Sequence, residues 1–233
     1  MSLLNNIIIK TIPILPKKMV KIIADQYVAG NTIEDVIKKT KYLNSQKYEV
    51  TIDLLGEHIQ ESDETNNITN IYLELLNQIN SSNLLSNISV KPTHIGLDIG
   101  IETFKENALK LVEKAKKYNN FIRFDMENST TTDATIGVFK KIRRDYKNVG
   151  IVFQAYLKRT YSDLEKLMSQ KINFRLCKGI YNEDVEIAYK DYEEINTNYL
   201  KIVELAFKND TYIGLATHDL NLLKEIYKLI EKY

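Results

Sequence analysis

Val149-Gly-Ile-Val-Phe-Gln154, then Thr160-Tyr-Ser-Asp163, then Asn173-Phe-Arg-Leu-Cys-Lys-Gly179 is the stretch that decides the fold. A short β-branched and apolar run ends on Gln154. Thr160 to Asp163 has the S/T-x-x-acid form of a capping box before Leu164 and Leu167. A second apolar run then ends on Arg175 and Lys178. Strand, helix and strand in that order form a βαβ unit, which implies parallel pairing.

The same alternation extends in both directions. Strand-like runs fall at 49–54, 88–91, 121–124, 149–153, 173–176 and 212–215. Between them lie helical stripes, clearest in Ile68, Ile71, Tyr72, Leu75, Leu76 and Ile79 and again in Phe104, Ala108, Leu111, Val112 and Ala115. Residues 1–45 read as a helical segment, with Ile33, Val36 and Ile37 on one face, and 219–232 as a final helix. Six strand-plus-helix units make either a barrel or a doubly wound sheet. Polar residues follow nearly every strand: Glu57, Lys91, Asp125 with Glu127, Gln154, Arg175 with Lys178, and Thr217 with His218. A doubly wound sheet gathers its ligand contacts at one switch point, whereas a barrel brings all its strand ends to one mouth. The expected fold is therefore α/β of the (β/α)8 TIM-barrel type with about six units present. Residues 1–45 form an N-terminal helical segment and 46–233 the barrel, without its last two units.

Composition narrows the function. Lys+Arg 32 against Asp+Glu 31 leaves a net charge of +1, which speaks against a nucleic-acid partner. One cysteine points to a reducing, cytoplasmic compartment. No run approaches the roughly 20 apolar residues that span a bilayer. Neither G-x-G-x-x-G nor a P-loop occurs, and the three histidines are far apart, so no metal site is expected.

The strand-end motifs together resemble the monofunctional bacterial proline dehydrogenases. They are Asp53-Leu-Leu-Gly-Glu57, Ser89-Val-Lys-Pro-Thr-His-Ile-Gly-Leu97, Arg123-Phe-Asp-Met-Glu-Asn128, Gly150-Ile-Val-Phe-Gln-Ala-Tyr-Leu157, Phe174-Arg-Leu-Cys-Lys-Gly-Ile-Tyr-Asn-Glu183 and Ala216-Thr-His-Asp219. The resemblance implies a flavoprotein oxidoreductase of proline catabolism. Such an enzyme holds FAD across the barrel mouth, oxidises L-proline to Δ1-pyrroline-5-carboxylate and passes the electrons to a quinone. A quinone acceptor would bring a cytoplasmic protein into peripheral contact with the inner face of the membrane.

By the same resemblance Asp125 and Arg175 are catalytic, Arg175 beside flavin N5, and Lys91 and Tyr181 bind proline. Met126 lies beside the ring system and Gln154 at its pyrimidine edge. Lys178, Gly179 and Ile180 follow the ribityl and phosphate chain, and Thr217 and His218 meet the phosphates and adenine side. The family commonly has Ala where Ile180 stands and an aliphatic residue at Pro92. Its members continue past this point to an arginine pair that clamps the substrate carboxylate. Without those arginines Glu57 is expected to lack a partner, and the chain to have little activity.

Other readings of the same residues are a Schiff-base aldolase using Lys91 or Lys178, and an inactive barrel that at most binds FAD. Glu57 also reads as a helix-capping acid, and Asp125 as a structural partner for Arg175. Ser129 to Thr132 read as an N-cap region, His58 and His94 as local hydrogen-bonders, and Cys177 as a packed thiol facing the helices.

Overall fold

The computed structural model describes residues 28–233. The part of the expected helical segment before residue 28 lies outside the described residues. Helix α1 (Ile33–Ser45) begins at Thr32, whose side chain accepts the Asp35 N–H. After it, strands and helices alternate: β1 (Val50–Asp53), α2 (Ser62–Ser81), β2 (Ser86–Val90), α3 (Ile101–Tyr118), β3 (Ile122–Phe124) and α4 (Thr132–Asp145). Then come β4 (Val149–Gln154), α5 (Thr160–Glu165), β5 (Asn173–Cys177), α6 (Tyr192–Lys208), β6 (Ile213–Leu215) and α7 (Leu220–Lys232).

The strands form one parallel sheet in sequence order, β1 to β6. It curls into part of a (β/α) barrel, with β1 and β6 as its two edges. Successive helices pack side by side along it, α1 on α2, α2 on α3, α3 on α4, α5 on α6 and α6 on α7.

Strand periodicity divides the sheet into two faces. Ile52, Ile88, Val90, Ile122, Phe124, Ile151, Phe153, Phe174 and Leu176 belong to the hydrophobic core. The α2 stripe joins them through Tyr72, Leu75, Leu76 and Ile79, and the α3 stripe through Phe104, Ala108, Leu111, Val112 and Ala115. Edge-to-face pairs lock the interior: Phe104 on Phe124 and Phe153 on Phe174, each with centroids 6.1 Å apart. The other face carries Asp53, Ser89, Arg123, Asp125, Gln154, Arg175 and Cys177.

Several local expectations are corrected. Thr160 does not cap α5: its hydroxyl donates to Gln154 O at 2.6 Å, and Asp163 pairs with Arg159 at 2.5 Å. The residue at the cap position is Arg159, which makes no side-chain cap bond. Ser129 to Thr131 form a one-turn 3-10 helix, and Thr131, at the cap position of α4, also makes none. Pro92 fits without conflict, since it starts another one-turn helix, Pro92–Ile95, where its missing N–H is not needed. His58 bonds across 40 residues rather than locally, Nδ1 to Asp98 at 2.8 Å. His94 is buried instead, with no hydrogen-bond partner for Nδ1, and burial lowers its pKa.

Candidate active site

The carboxyl ends of parallel strands point the same way, so the residues that follow them converge. They line one cavity of about 550 Å³. All eleven expected site residues border it: Lys91, Asp125, Met126, Gln154, Arg175, Lys178, Gly179, Ile180, Tyr181, Thr217 and His218. Val152, Cys177, Ala216 and Asp219 complete the wall.

A chain of alternating charge runs along one side. Lys91 donates a short hydrogen bond to Asp53 and stands 3.8 Å from Asp125. Asp125 Oδ1 accepts from Arg175 at 2.5 Å and from the Ser89 hydroxyl at 2.7 Å. Behind the chain, the fully buried Tyr72 donates to Asp53 Oδ1 and to Ser89 O, both at 3.2 Å. Burial works against the Lys91 ammonium, but the hydrogen bond to Asp53 and the charges of Asp53 and Asp125 outweigh it and raise its pKa. Burial raises Asp53 in turn, against the pull of Lys91. The pairing of Asp125 with Arg175 is thus real, and it pins the guanidinium inside the cavity.

The lining holds a further cation just after β5. Lys178 lies 2.5 Å from Asp219 Oδ2 and 4.3 Å from the centroid of the Tyr192 ring. Gln154, at the end of β4 next to β5, is buried. Its Nε2 donates to Met126 O at 3.1 Å, while its Oε1 has no partner among the described residues. Gly179 adopts φ +108°, and a Cβ there would fall 2.1 Å from the Tyr156 ring. Only glycine serves at that turn. Ile180 is 88% exposed, so its bulk lies mostly outside the cavity.

Tyr181 spans the mouth, its hydroxyl donating to Glu57 Oε2 at 2.9 Å. Burial and the neighbouring Glu57 carboxylate raise the phenol pKa. Glu57 therefore caps no helix and does not lack a partner. Glu127, at the end of β3, is tied down structurally: it accepts from Thr93 N at 2.8 Å and from the Thr93 hydroxyl at 2.5 Å.

Cys177 is the clearest correction. It lies two residues from Arg175 on a strand, so both face the cavity rather than the helices. Asp53, Ser89 and Asp219 were missed as partners of the expected residues. Asp53 and Asp219 did carry a signal, an aspartate closing a strand and an aspartate opening a helix.

The sequence profile described as proline dehydrogenase matches residues 36–233. Proline dehydrogenase 2 of Bacillus subtilis subsp. natto is 34% identical over 199 residues, 85% of this chain and 66% of that protein. Proline dehydrogenase of Deinococcus radiodurans is 29% identical over 213 residues, 89% of this chain and 69% of that protein. The chain spans just under two thirds of the Bacillus relative's length. Among solved structures, proline utilization A from Bdellovibrio bacteriovorus inactivated by N-propargylglycine aligns with a TM-score of 0.84 at 23% identity, covering 93% of this chain and 28% of that one. A mutant proline utilization A from Bradyrhizobium japonicum gives 0.75 at 18% identity, covering 88% and 25%. Both structures share the fold.

Proposed function

The chain belongs to the proline dehydrogenase family, and from that premise we propose that it is an FAD-dependent enzyme that oxidises L-proline to Δ1-pyrroline-5-carboxylate, with a quinone as electron acceptor. The observation that carries this reading is the buried, unpartnered Oε1 of Gln154 beside the ion-paired Arg175 on one cavity wall. A buried acceptor without a partner is costly, and a ring edge bearing N–H satisfies it. The donor set fits a flavin.

When bound, FAD supplies the hydride acceptor. Gln154 and Met126 would hold the ring system, and Lys178, Gly179, Ile180, Thr217 and His218 the ribityl, phosphate and adenine parts. Gly179 lets backbone border the cavity where any side chain would strike Tyr156. The Arg175 guanidinium, held by Asp125, would stabilise the negative charge that the acceptor ring gains with the hydride, while the substrate is left as a cationic iminium. Asp125 orients both Arg175 and Lys91. Lys91 retains donor capacity beyond Asp53 for the proline carboxylate, and Tyr181 covers the ring.

The aldolase reading loses its nucleophile. A Schiff-base lysine must be neutral, whereas Lys91 is held as an ammonium between two carboxylates and Lys178 is paired with Asp219. The inactive-barrel reading is separated from the enzyme by experiment.

Purified protein should show flavin absorbance, and anaerobic proline should bleach it in a version extended to the relatives' full length. In R175A, bleaching should slow by on the order of 100-fold, as when one donor to developing charge is removed, with flavin content and thermal midpoint kept. A colourless folded protein, or an unchanged rate in R175A, would overturn the reading.

A further inference from the structure

The loop between β5 and α6 runs along the cavity rim. Within residues 180–187 every side chain is exposed except Tyr181 and Glu183, which are half-buried. Each of these two bonds across the mouth to a different strand-end loop. Tyr181 reaches Glu57, after β1. Glu183 reaches Ser129, after β3, accepting its backbone N–H and its hydroxyl, both at 2.6 Å.

The ends of the loop are anchored independently. Lys178 O accepts from Tyr156 N at 2.8 Å on one side. On the other, Leu157 and Ala188 form an antiparallel bridge, and Tyr189 N donates to Tyr156 O at 2.8 Å. Between those anchors, Tyr181 and Glu183 are the loop's own side chains that reach other strand-end loops, and Lys158 Nζ holds Val185 O at 2.8 Å nearer the far anchor.

Asn128, at the cap position of the turn before α4, could cap it more simply, yet its side chain makes no cap bond. The cap comes instead from 54 residues downstream. A carboxylate receiving both N–H and O–H makes charge-assisted bonds, which are short and directional. This arrangement joins the loop that carries Lys178 to Tyr181 to the one that carries Asp125 and Met126. A helix cap alone would need no such coupling.

We infer that Glu183 is a positioning residue: its grip on Ser129 sets where Tyr181 stands across the mouth, and so how closely the substrate ring is held. The inference rests on the proline dehydrogenase reading. Glu183 borders neither the cavity nor the charge chain and acts only through the loop.

The test compares wild type, E183A and E183Q in the same full-length version. Its readouts are flavin content, hydrogen exchange of residues 180–186, and anaerobic proline titration. E183A should exchange faster at 180–186 and not at β4, and should keep its flavin. Its apparent Kd for proline should rise about tenfold, roughly the worth of one modest contact, while the limiting reduction rate changes far less. E183Q keeps an acceptor for the Ser129 N–H and should fall between the two. An unchanged Kd overturns the inference. So does a joint fall of flavin content, rate and thermal midpoint, which would mark a merely structural role. If wild type binds flavin but proline does not bleach it, the enzyme reading itself fails and this role falls with it. The wild-type titration alone distinguishes that outcome.

Discussion

Cys177 shows how one residue's chemistry follows from its strand parity. It faces the cavity beside Arg175, with its sulfur 3.6 Å from Phe153 O. Burial pushes its thiol up to about 11, with Arg175 pulling the other way. At pH 8 iodoacetamide should therefore label it on the order of 100-fold more slowly than a free thiol of pKa about 8.5. A raised folded pKa also fixes the sign of the linkage. The contribution to stability is complete below the unfolded value and is lost as pH rises from about 8.5 towards 11. Urea unfolding at pH 7 and pH 10 should show that loss in the wild type and not in C177S. Equal pH dependence in both proteins would show that the thiol stays near its ordinary pKa.

At the scale of the element, α7 begins on a carboxylate with two tasks. Asp219 Oδ1 caps the helix, accepting from Asn221 N at 3.0 Å and Leu222 N at 3.2 Å. Its Oδ2 gathers Lys178 at 2.5 Å, Asn196 at 3.4 Å and the Tyr192 hydroxyl. The hydrogen bond from Lys178, then that from Tyr192, holds the carboxyl well below the usual carboxylate range. D219A should cost about 1–2 kcal/mol through the cap, read from urea midpoints. D219N keeps an acceptor at the cap and should cost less, while releasing Lys178 all the same. Because the folded pKa is depressed, this contribution is complete above the unfolded value and is lost as pH falls through the folded one. The difference between wild type and D219N should therefore be present at pH 7 and shrink in strong acid. The cap was legible as an aspartate before a helical run. The capping box at Thr160 was not what it looked like, because a tertiary acceptor, Gln154 O, drew the hydroxyl away.

For the whole molecule the sheet is graded from centre to edge. All six residues of β4 are buried and paired on both sides, by β3 and β5. All three residues of β6 are half-buried, and β6 pairs only with β5. Parallel strands depend on cover on both faces and on two neighbours. Hydrogen exchange should therefore be slowest in β4 and much faster in β6, with β1, the other edge, nearer to β6. Protection of β6 equal to that of β4 would show that its outer edge is covered. No helix among the described residues is long and apolar enough to cross a membrane.

Sequence by itself determined the six strands to within two residues, because β-branched runs and helical stripes are local signals. β2, for example, begins at Ser86 against an expected 88. It also placed Lys91, Asp125, Gln154, Arg175, Lys178, Thr217 and His218 at one mouth, because in a parallel sheet the residues after each strand must emerge at the same end, but it put Cys177 on the wrong face. Tertiary structure alone decided the partners. Lys91 meets Asp53 across 38 residues, Glu183 meets Ser129 across 54 and Tyr181 meets Glu57 across 124, whereas the pair of Arg175 with Asp125 was one reading of the sequence. No local pattern encodes such pairs. They arise when the curl of the sheet brings side chains from separate strands within hydrogen-bonding distance, and burial there sets which stay charged.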